Sequence, residues 1–557
     1  MRNNADFSQL TRDEKARLLD FAPHASASKA RQGSGRTRPT FPSINCSMRE
    51  LRDVSREAIE ALEAANDPPS LFIRSGRLVR IRIHEKGQHL IEEVGIDALR
   101  GMLARCADFY KSGASGRRVP IAPPELVLRD ILTMSQLQVP PLVGLSEVPI
   151  VRPDGTIFSA GGYDWISGFY YAAPEGLTIL CIPEHPTEQE VRDAVALINE
   201  LLEDFPFADA ASLATAWAAC LTPILRPAIA GPSPLILIDA PAAGTGKTLL
   251  ADCIARIATG RPGAMMTVPR DDDEMRKRLT AVLMAGTTVV ILDNVEDRLG
   301  LPSLACAITA PTWRDRILGA NTEIVIPAQV TWLATGNNIR LGGDLPRRCI
   351  WCRLDAKTAR PWKRSGFKHE DLAGWVETNR ARLVRAVLIL AAAWFARGRP
   401  RPEIPIVGGF QNWAITIGGV LKTAGIGGFL ENLDNLYEEA DAEAAQWEAF
   451  LGGVRDRYGK EPWTVSELAA RMKEENAKEE NAQEGGRLVD LLPENLAESF
   501  EKPQSFKRRL GNALARKAEV RFGELRVVRA GEKQRAVLWA VRTDEESEKA
   551  SDVSLVS

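Results

Sequence analysis

The stretch that decides the fold is Leu235-Ile236-Leu237-Ile238, followed by Pro241-Ala242-Ala243-Gly244-Thr245-Gly246-Lys247-Thr248 and a helical pattern from Leu249 to Ala258. A short, wholly apolar run suits a strand buried on both faces of a parallel sheet. Strand, glycine-rich loop and helix is the context in which backbone N–H groups converge on phosphate oxygens. Gly244 and Gly246 let the backbone curl, and the helix start adds the positive end of its dipole. Lys247 has the reach for β- and γ-phosphates, and the Thr248 hydroxyl can ligate magnesium. Ala242, Ala243, Gly244, Thr245, Gly246, Lys247, Thr248 and Leu249 are therefore candidate nucleotide contacts, with ATP and Mg2+ as expected ligands. Pro241 stands where a first glycine is usual. It holds φ at about −65° and supplies no N–H, so a changed entry angle is expected. The alternative is a Gly-rich turn with no ligand.

Downstream, Val289-Val290-Ile291-Leu292-Asp293-Asn294-Val295-Glu296 reads as a second buried strand, with Asp293 coming 46 residues after Lys247. A carboxylate at the end of such a strand can hold magnesium beside the loop. A third strand, Trp332-Leu333-Ala334-Thr335-Gly336-Asn337-Asn338, ends in small polar residues. Asn337 there is a candidate contact for the γ-phosphate or attacking water, or else an Asn capping a turn. Gly343-Asp344-Leu345-Pro346-Arg347-Arg348 brings paired arginines soon afterwards. Arg347 or Arg348 suits a finger that stabilises charge on a neighbouring subunit's phosphoryl group, or a surface salt bridge. Between the second and third strands, Trp313 to Pro327 reads as strand, polar turn, strand.

The 557 residues, 45% hydrophobic and 26% charged, describe a multidomain globular chain. Lys and Arg number 71 against 73 Asp and Glu, a net charge of −2 that excludes a histone-like positive coat while leaving room for a local basic patch. The eight cysteines are scattered, which suits reduced thiols in the cytoplasm. Their one C-x-x-C pair, Cys349 and Cys352, lacks zinc-site partners and sits in a strand pattern. No signal peptide is readable behind Met1, and the longest apolar stretch, Ala386 to Ala396, is too short for a bilayer, so no membrane partner is expected.

Composition and pattern divide the chain into a disordered segment at 1–45, a mixed α/β domain at 46–185, an α/β core at 186–360 carrying the glycine-rich loop, a helical region at 361–445, a C-terminal domain at 446–543 with a charged insert at 472–486, and a disordered tail at 544–557. Hairpins are expected around Ser75-Gly76 and Pro153-Asp154-Gly155. In the last domain Trp463 to Ala469 reads as a capped helix, 503–517 as a basic helix, and Leu525 to Val541 as a hairpin turning at Ala530-Gly531-Glu532-Lys533. From Glu501 to Thr543 there are twelve Lys/Arg against four Asp/Glu, a local footprint for phosphates. A solvated basic face or a protein-docking wing is the alternative.

The order of loop, Asp-Asn strand, hairpin, Asn and Arg pair resembles AAA+ ATPases, and the 90 residues from Lys247 to Asn337 resemble the compact spacing of superfamily 3 helicases. The stretch 46–425 is similar to ATPases of phage, plasmid and prophage replication modules, the primase–helicases. The matching residues are Arg347-Arg348, Arg353-Leu354-Asp355, Arg360-Pro361, Phe367-Lys368-His369, Gly374-Trp375, Gly418-Gly419-Val420-Leu421 and Ala424-Gly425-Ile426. The resemblance implies an α/β P-loop core with a parallel sheet and helical lid, working as a ring, a hexamer, on single-stranded or forked DNA. It further implies ATP-driven unwinding for a mobile element, with an initiator or primase as partner. Many AAA+ proteins carry Glu directly after the strand Asp to activate water; Asn294 occupies that position here, leaving Glu296, with Asp297 behind it, as the nearest base. The C-terminal helices and basic hairpin resemble a winged helix. No paired-Asp polymerase signature stands out at 46–185, so primer synthesis is not expected. Two rivals remain: a non-unwinding ATP switch or loader on DNA, and an RNA- or protein-remodelling ATPase.

Overall fold

The computed structural model describes residues 41–84, 88–113, 116–134, 137–174, 176–296, 298–316, 323–477, 487–497, 499–501, 503–543 and 546. Most of the segments expected to be disordered, residues 478–486 of the charged insert, the hairpin turn at 317–322 and Asp297 lie outside them. Two edges of those segments are ordered. Ser43–Asn45 is a strand paired with Asp108–Ser112, and residues 472–477 complete the helix Val465–Ala477.

The N-terminal region joins small sheets to three helices, Leu51–Ala64, Ile96–Cys106 and Glu125–Thr133. Their apolar faces bury Leu62, Leu99, Leu103 and Leu128 completely. Both expected hairpins form. Leu71–Arg74 pairs with Arg77–Ile83 across Ser75 and Gly76, whose φ values of 56° and 73° suit a two-residue turn. Ile150–Val151 pairs with Ile157–Phe158.

Two helices precede the main sheet. α1 (Glu188–Leu202) opens with a capping box between Thr187 and Glu190. α2 (Ala210–Leu225), capped by Asp209, is apolar on every side and buried along nearly its whole length, as a helix surrounded by protein must be. The chain then alternates β1 (Leu235–Ala240), α3 (Lys247–Thr259), β2 (Met265–Met266), α4 (Asp272–Met284), β3 (Val289–Val295), α5 (Pro302–Thr309), β4 (Thr312–Arg316), β5 (Glu323–Pro327), β6 (Thr331–Asn337) and β7 (Cys349–Arg353). Five of these strands form one parallel sheet in the order β2-β3-β6-β1-β7. Every side chain of β1 is buried, which is why the sequence shows an apolar run and not alternation. Cys349 and Cys352 lie buried in β7, and burial pushes both thiols far above their ordinary pKa. α6 (Leu372–Ala396) and α7 (Gln411–Thr423) complete the region.

Buried arginines bind the N-terminal region to the core through carbonyl oxygens. Arg74 donates to Leu283 O and Met284 O. Arg380 on α6 donates to Ile257 O and Ala258 O, the last carbonyls of α3, and to Glu147 O. Burial pulls both guanidinium groups down to about 10.

A division of the chain falls between Leu433 and Asp434. The boundary expected at 445/446 lies inside a helix, α8 (Leu433–Tyr458). The second unit continues with β8 (Trp463–Thr464), α9 (Val465–Ala477), α10 (Glu494–Ala497), α11 (Pro503–Lys517), β9 (Arg521–Phe522), β10 (Leu525–Lys533) and β11 (Ala536–Thr543). Its antiparallel sheet runs β8-β11-β10-β9. Trp447, Phe450, Phe506, Leu510, Leu514 and Trp539 fill its core. The β10–β11 turn is Gln534-Arg535, both at positive φ, and not Ala530 to Lys533 as the composition suggested. The ladder shifts register between Arg529 and Gly531, with Gly531 at φ 116°. That glycine marks a bulge rather than the bend.

Among the described residues no helix is long and apolar enough to cross a membrane.

Candidate functional site

Because β1, β3 and β6 are parallel neighbours, their carboxyl ends deliver side chains to one edge of the sheet. From the end of β1 the chain turns through 241–246 into α3, with Gly244 at φ 79° and Gly246, the residue before α3, at φ 97°. Both positions exclude an ordinary side chain. A Cβ on Gly244 would stand 2.9 Å from the Cβ of Trp362, and one on Gly246 would stand 3.1 Å from the Phe205 ring.

Lys247, the first residue of α3, is 8% exposed. Its Nζ donates to Asn337 Oδ1 at 2.7 Å, Ala242 O at 3.1 Å and Thr245 Oγ1 at 3.2 Å. Burial lowers its pKa below the ordinary lysine value, while Asp239 and Asp293 oppose that shift. Thr248 Oγ1 donates to Asp293 Oδ1 at 2.9 Å, and Thr335 Oγ1 donates to the same oxygen at 2.6 Å. Lys247 with Asn337 and Thr248 with Asp293, partners up to 90 residues apart, thus form two hydrogen-bonded pairs side by side at the start of α3.

The Asp-Asn departure has a structural cause. The β3–β6 ladder slips between Leu292 and Val295, and Asn294 sits in that bulge at φ +53°. Asn tolerates the left-handed region better than Glu does. Asn294 N donates to Thr335 Oγ1 at 3.2 Å, and its Nδ2 donates to Glu296 Oε1 at 3.0 Å. Glu296 is exposed and tethered by Asn294, the residue next to Asp293.

Arg347 and Arg348 stand apart, on the turn Pro346–Arg348 before β7. Arg348 bonds Ala305 O, Thr309 Oγ1 and Asp344, tying down the C-terminal turn of α5. Its side chain is 15% exposed, whereas that of Arg347 is 69% exposed and, among the described residues, bonds only to Asp344.

Three contributors escaped the sequence reading. Asp239, buried near the end of β1, accepts from Ile339 N at 3.1 Å and from Arg353 Nη1 at 2.9 Å, fixing the chain just after Asn337. A carboxylate inside an otherwise apolar strand was its signal. Thr335 completes the Asp293 contacts. Trp362 lines a cavity of about 330 Å³ with Gly244, Gly246, Leu249, Phe205 and Phe367. The cavity opens beside the loop and has aromatic walls.

The hairpin β4–β5 forms as expected. Trp313 and Asp315 point inward, Trp313 Nε1 donating to Thr280 Oγ1 at 2.8 Å and Thr280 Oγ1 donating to Asp315 Oδ2 at 2.5 Å. Arg314 and Arg316 take the exposed face.

No family model matches the chain, and no curated protein matches it. Similar solved structures include the apo C-terminal region of NrS-1, with 13% identity, 83% of this chain and 96% of that chain covered, and a TM-score of 0.34. The SCCmec type IV Cch helicase shares 12% identity over 85% of this chain and 91% of its own, with a TM-score of 0.31. JCV helicase shares 14% identity over 45% and 74%, at a TM-score of 0.19. Likeness at that level assigns no function; the residues must do so.

Proposed function

We propose that the chain is an ATP-hydrolysing motor of the AAA+/superfamily 3 type, acting on DNA in the replication of a mobile element. One observation carries this reading: Lys247 with Asn337, and Thr248 with Asp293, converge at the carboxyl edge of a parallel sheet, against a loop whose two glycines have positive φ. Ligands of open parallel sheets bind at that edge.

In this reading the loop N–H groups and the α3 N-terminus hold the triphosphate. Lys247 exchanges its bonds to Ala242 O and Thr245 Oγ1 for phosphate oxygens and keeps Asn337 oriented. The donor set of Thr248 hydroxyl and Asp293 carboxylate, both hard oxygens 2.9 Å apart, fits Mg2+. The ion, when bound, neutralises charge on the phosphates. Glu296, held by Asn294, accepts a proton from the attacking water. Trp362 and Phe367 stack on the base. Arg347, exposed on its turn, reaches the site of an adjacent protomer, so the working unit is a homo-oligomeric ring, a hexamer. Arg314 and Arg316 offer cations to a single DNA strand. The second unit, ordered helix, strand, three helices and then a short strand and a hairpin, is a winged helix that recruits DNA or an initiator.

The test is steady-state ATP hydrolysis with and without single-stranded DNA, for wild type and Lys247→Ala. Turnover stimulated by DNA and lost in the variant supports the motor; turnover indifferent to DNA rejects it. Asn294, in place of a catalytic acid, favours a second reading, an ATP switch that assembles on DNA without unwinding. DNA-stimulated hydrolysis with no strand separation on a fork would select it.

A further inference from the structure

The cavity beside Gly244 contains a group to which the motor reading gives no task. Its volume of about 330 Å³ falls in the range of small-molecule sites. Stacking on its aromatic walls is indifferent to the identity of a base, because every base has a π-face. Choice among bases needs a polar group held in a fixed position. Most polar groups lining the cavity are already engaged. Thr245 Oγ1 accepts from Lys247 Nζ at 3.2 Å. Asp204 accepts from Arg364 Nη2 through its carbonyl at 2.7 Å, and from Lys368 N through Oδ2 at 2.8 Å. Asp371 Oδ1 accepts from Gly374 N at 2.9 Å, capping α6. Glu370 is exposed, where water competes for its oxygens.

His369, which also lines the cavity, differs from these. It is half-buried. Its ring stacks on that of Trp375 in the first turn of α6, with centroids 4.4 Å apart and planes inclined by 24°. Its Nε2 lies 3.1 Å from Glu200 Oε1 on α1. Two helices therefore fix one face and one edge of the imidazole. An ionised carboxylate accepts and cannot donate, so the hydrogen of this contact sits on Nε2. A neutral imidazole with its hydrogen on Nε2 carries a lone pair on Nδ1. Among the described residues no hydrogen bond engages Nδ1. The ring thus offers an acceptor of defined orientation at the wall of a cavity sized for a base.

We propose that His369 selects the base of the bound nucleotide: Nδ1 accepts from the exocyclic amine of adenine, and Glu200 is the positioning residue that holds the imidazole in the required tautomer. Guanine and hypoxanthine carry an oxygen acceptor where adenine carries that amine, so two lone pairs would face each other and the contact would turn repulsive. This inference rests on the nucleotide reading of the site and deepens it by naming what distinguishes an adenine nucleotide from a 6-oxopurine nucleotide.

The experiment is calorimetric titration of the full chain with Mg2+ at about pH 8, above the ordinary imidazole range. Three probes are compared: ATP, inosine triphosphate, which has oxygen in place of the amine, and purine riboside triphosphate, which has hydrogen there. Wild type should bind ATP about tenfold more tightly than either analogue. His369→Ala should bring ATP down to the level of purine riboside triphosphate and leave the latter unchanged. Glu200→Gln keeps His369 and its stack, but an amide can donate to Nε2 as well as accept from it. That frees the tautomer, so ATP should weaken and inosine triphosphate should gain. A merely structural role for either residue would lower all three affinities together. Thermal melting checks the fold of each variant, and the comparison of probes on wild type needs no variant. Equal binding of ATP and inosine triphosphate by wild type, a parallel loss of all three probes in the variants, or a preference that follows Glu370→Gln instead of His369 would overturn the proposal. Equal binding that is still lost in Lys247→Ala overturns this inference alone. Wild type that binds none of the three removes the nucleotide reading with it.

Discussion

The sheet edge around Lys247 and the exposed face of α11 handle charge in opposite ways. At the sheet edge each charge has its answer inside the chain: Lys247 meets Asn337, Asp239 meets Arg353, and Asp293 takes two hydroxyls. On α11 four cations face solvent with no carboxylate partner among the described residues. A buried charge must be paired or it costs several kcal/mol, so the first arrangement fixes side chains in place before a ligand arrives. Exposed cations incur no such penalty and keep their repulsion available for release by a polyanion. In the proposed reading preorganisation marks the reacting centre, and unanswered charge marks the surface that recruits DNA.

The contrast can be broken most severely at turnover. Lys247→Ala and Arg347→Ala should each lower ATP hydrolysis by about 10³-fold. A mixture of the two variants should recover part of it, because an intact Lys247 site would meet the intact Arg347 of its neighbour. No recovery in mixed assemblies would confine Arg347 to its Asp344 ion pair.

The next effect is on stability. Arg380→Leu leaves three carbonyls, two of them at the end of α3, without their donor, and should cost about 3 kcal/mol. Arg348→Ala, which frees the end of α5, should cost about half as much. Denaturant midpoints check both; an unchanged midpoint for Arg380→Leu would mean that water replaces it at no cost.

A subtler effect appears in pH dependence. In the proposed reading Lys247 holds phosphate as an ammonium, and burial has lowered its pKa. Nucleotide affinity should therefore fall as pH rises through that lowered pKa, where neutral amine replaces ammonium. Asp239 favours the charged form, so Asp239→Asn should move the fall to lower pH. Titrating nucleotide binding between about pH 7 and pH 10 measures it, and an unmoved limb would assign the fall to another group. At the small end, Lys507→Ala/Arg509→Ala should leave the melting temperature unchanged, because no contact among the described residues answers those charges. A clear drop in melting temperature would show that they act within the fold.

Much of this arrangement was legible without coordinates. Apolar runs ending in Asp and Asn, and one followed by a glycine-rich loop into Lys-Thr, announced the strands and the side chains at their ends, because a strand buried on both faces has no polar alternation to confuse with a helix. The basic helix and hairpin were legible for the opposite reason, since exposed charge clusters need no partner to be seen. The hairpin turn was misplaced because Ala530-Gly531 has turn composition but forms a bulge, and a bulge and a bend make similar demands on φ.

What the sequence determined by itself was the list of chemical groups and the strand ends that carry them, because burial and local backbone preference act over a few neighbouring residues. Tertiary structure alone decided which groups meet. It set Asn337 on Lys247 across 90 residues, put Asn294 in a left-handed bulge where it holds Glu296, and separated two adjacent arginines into an exposed Arg347 and an anchored Arg348. Such pairings follow from strand order and register, and those are set by long-range packing that no local stretch encodes.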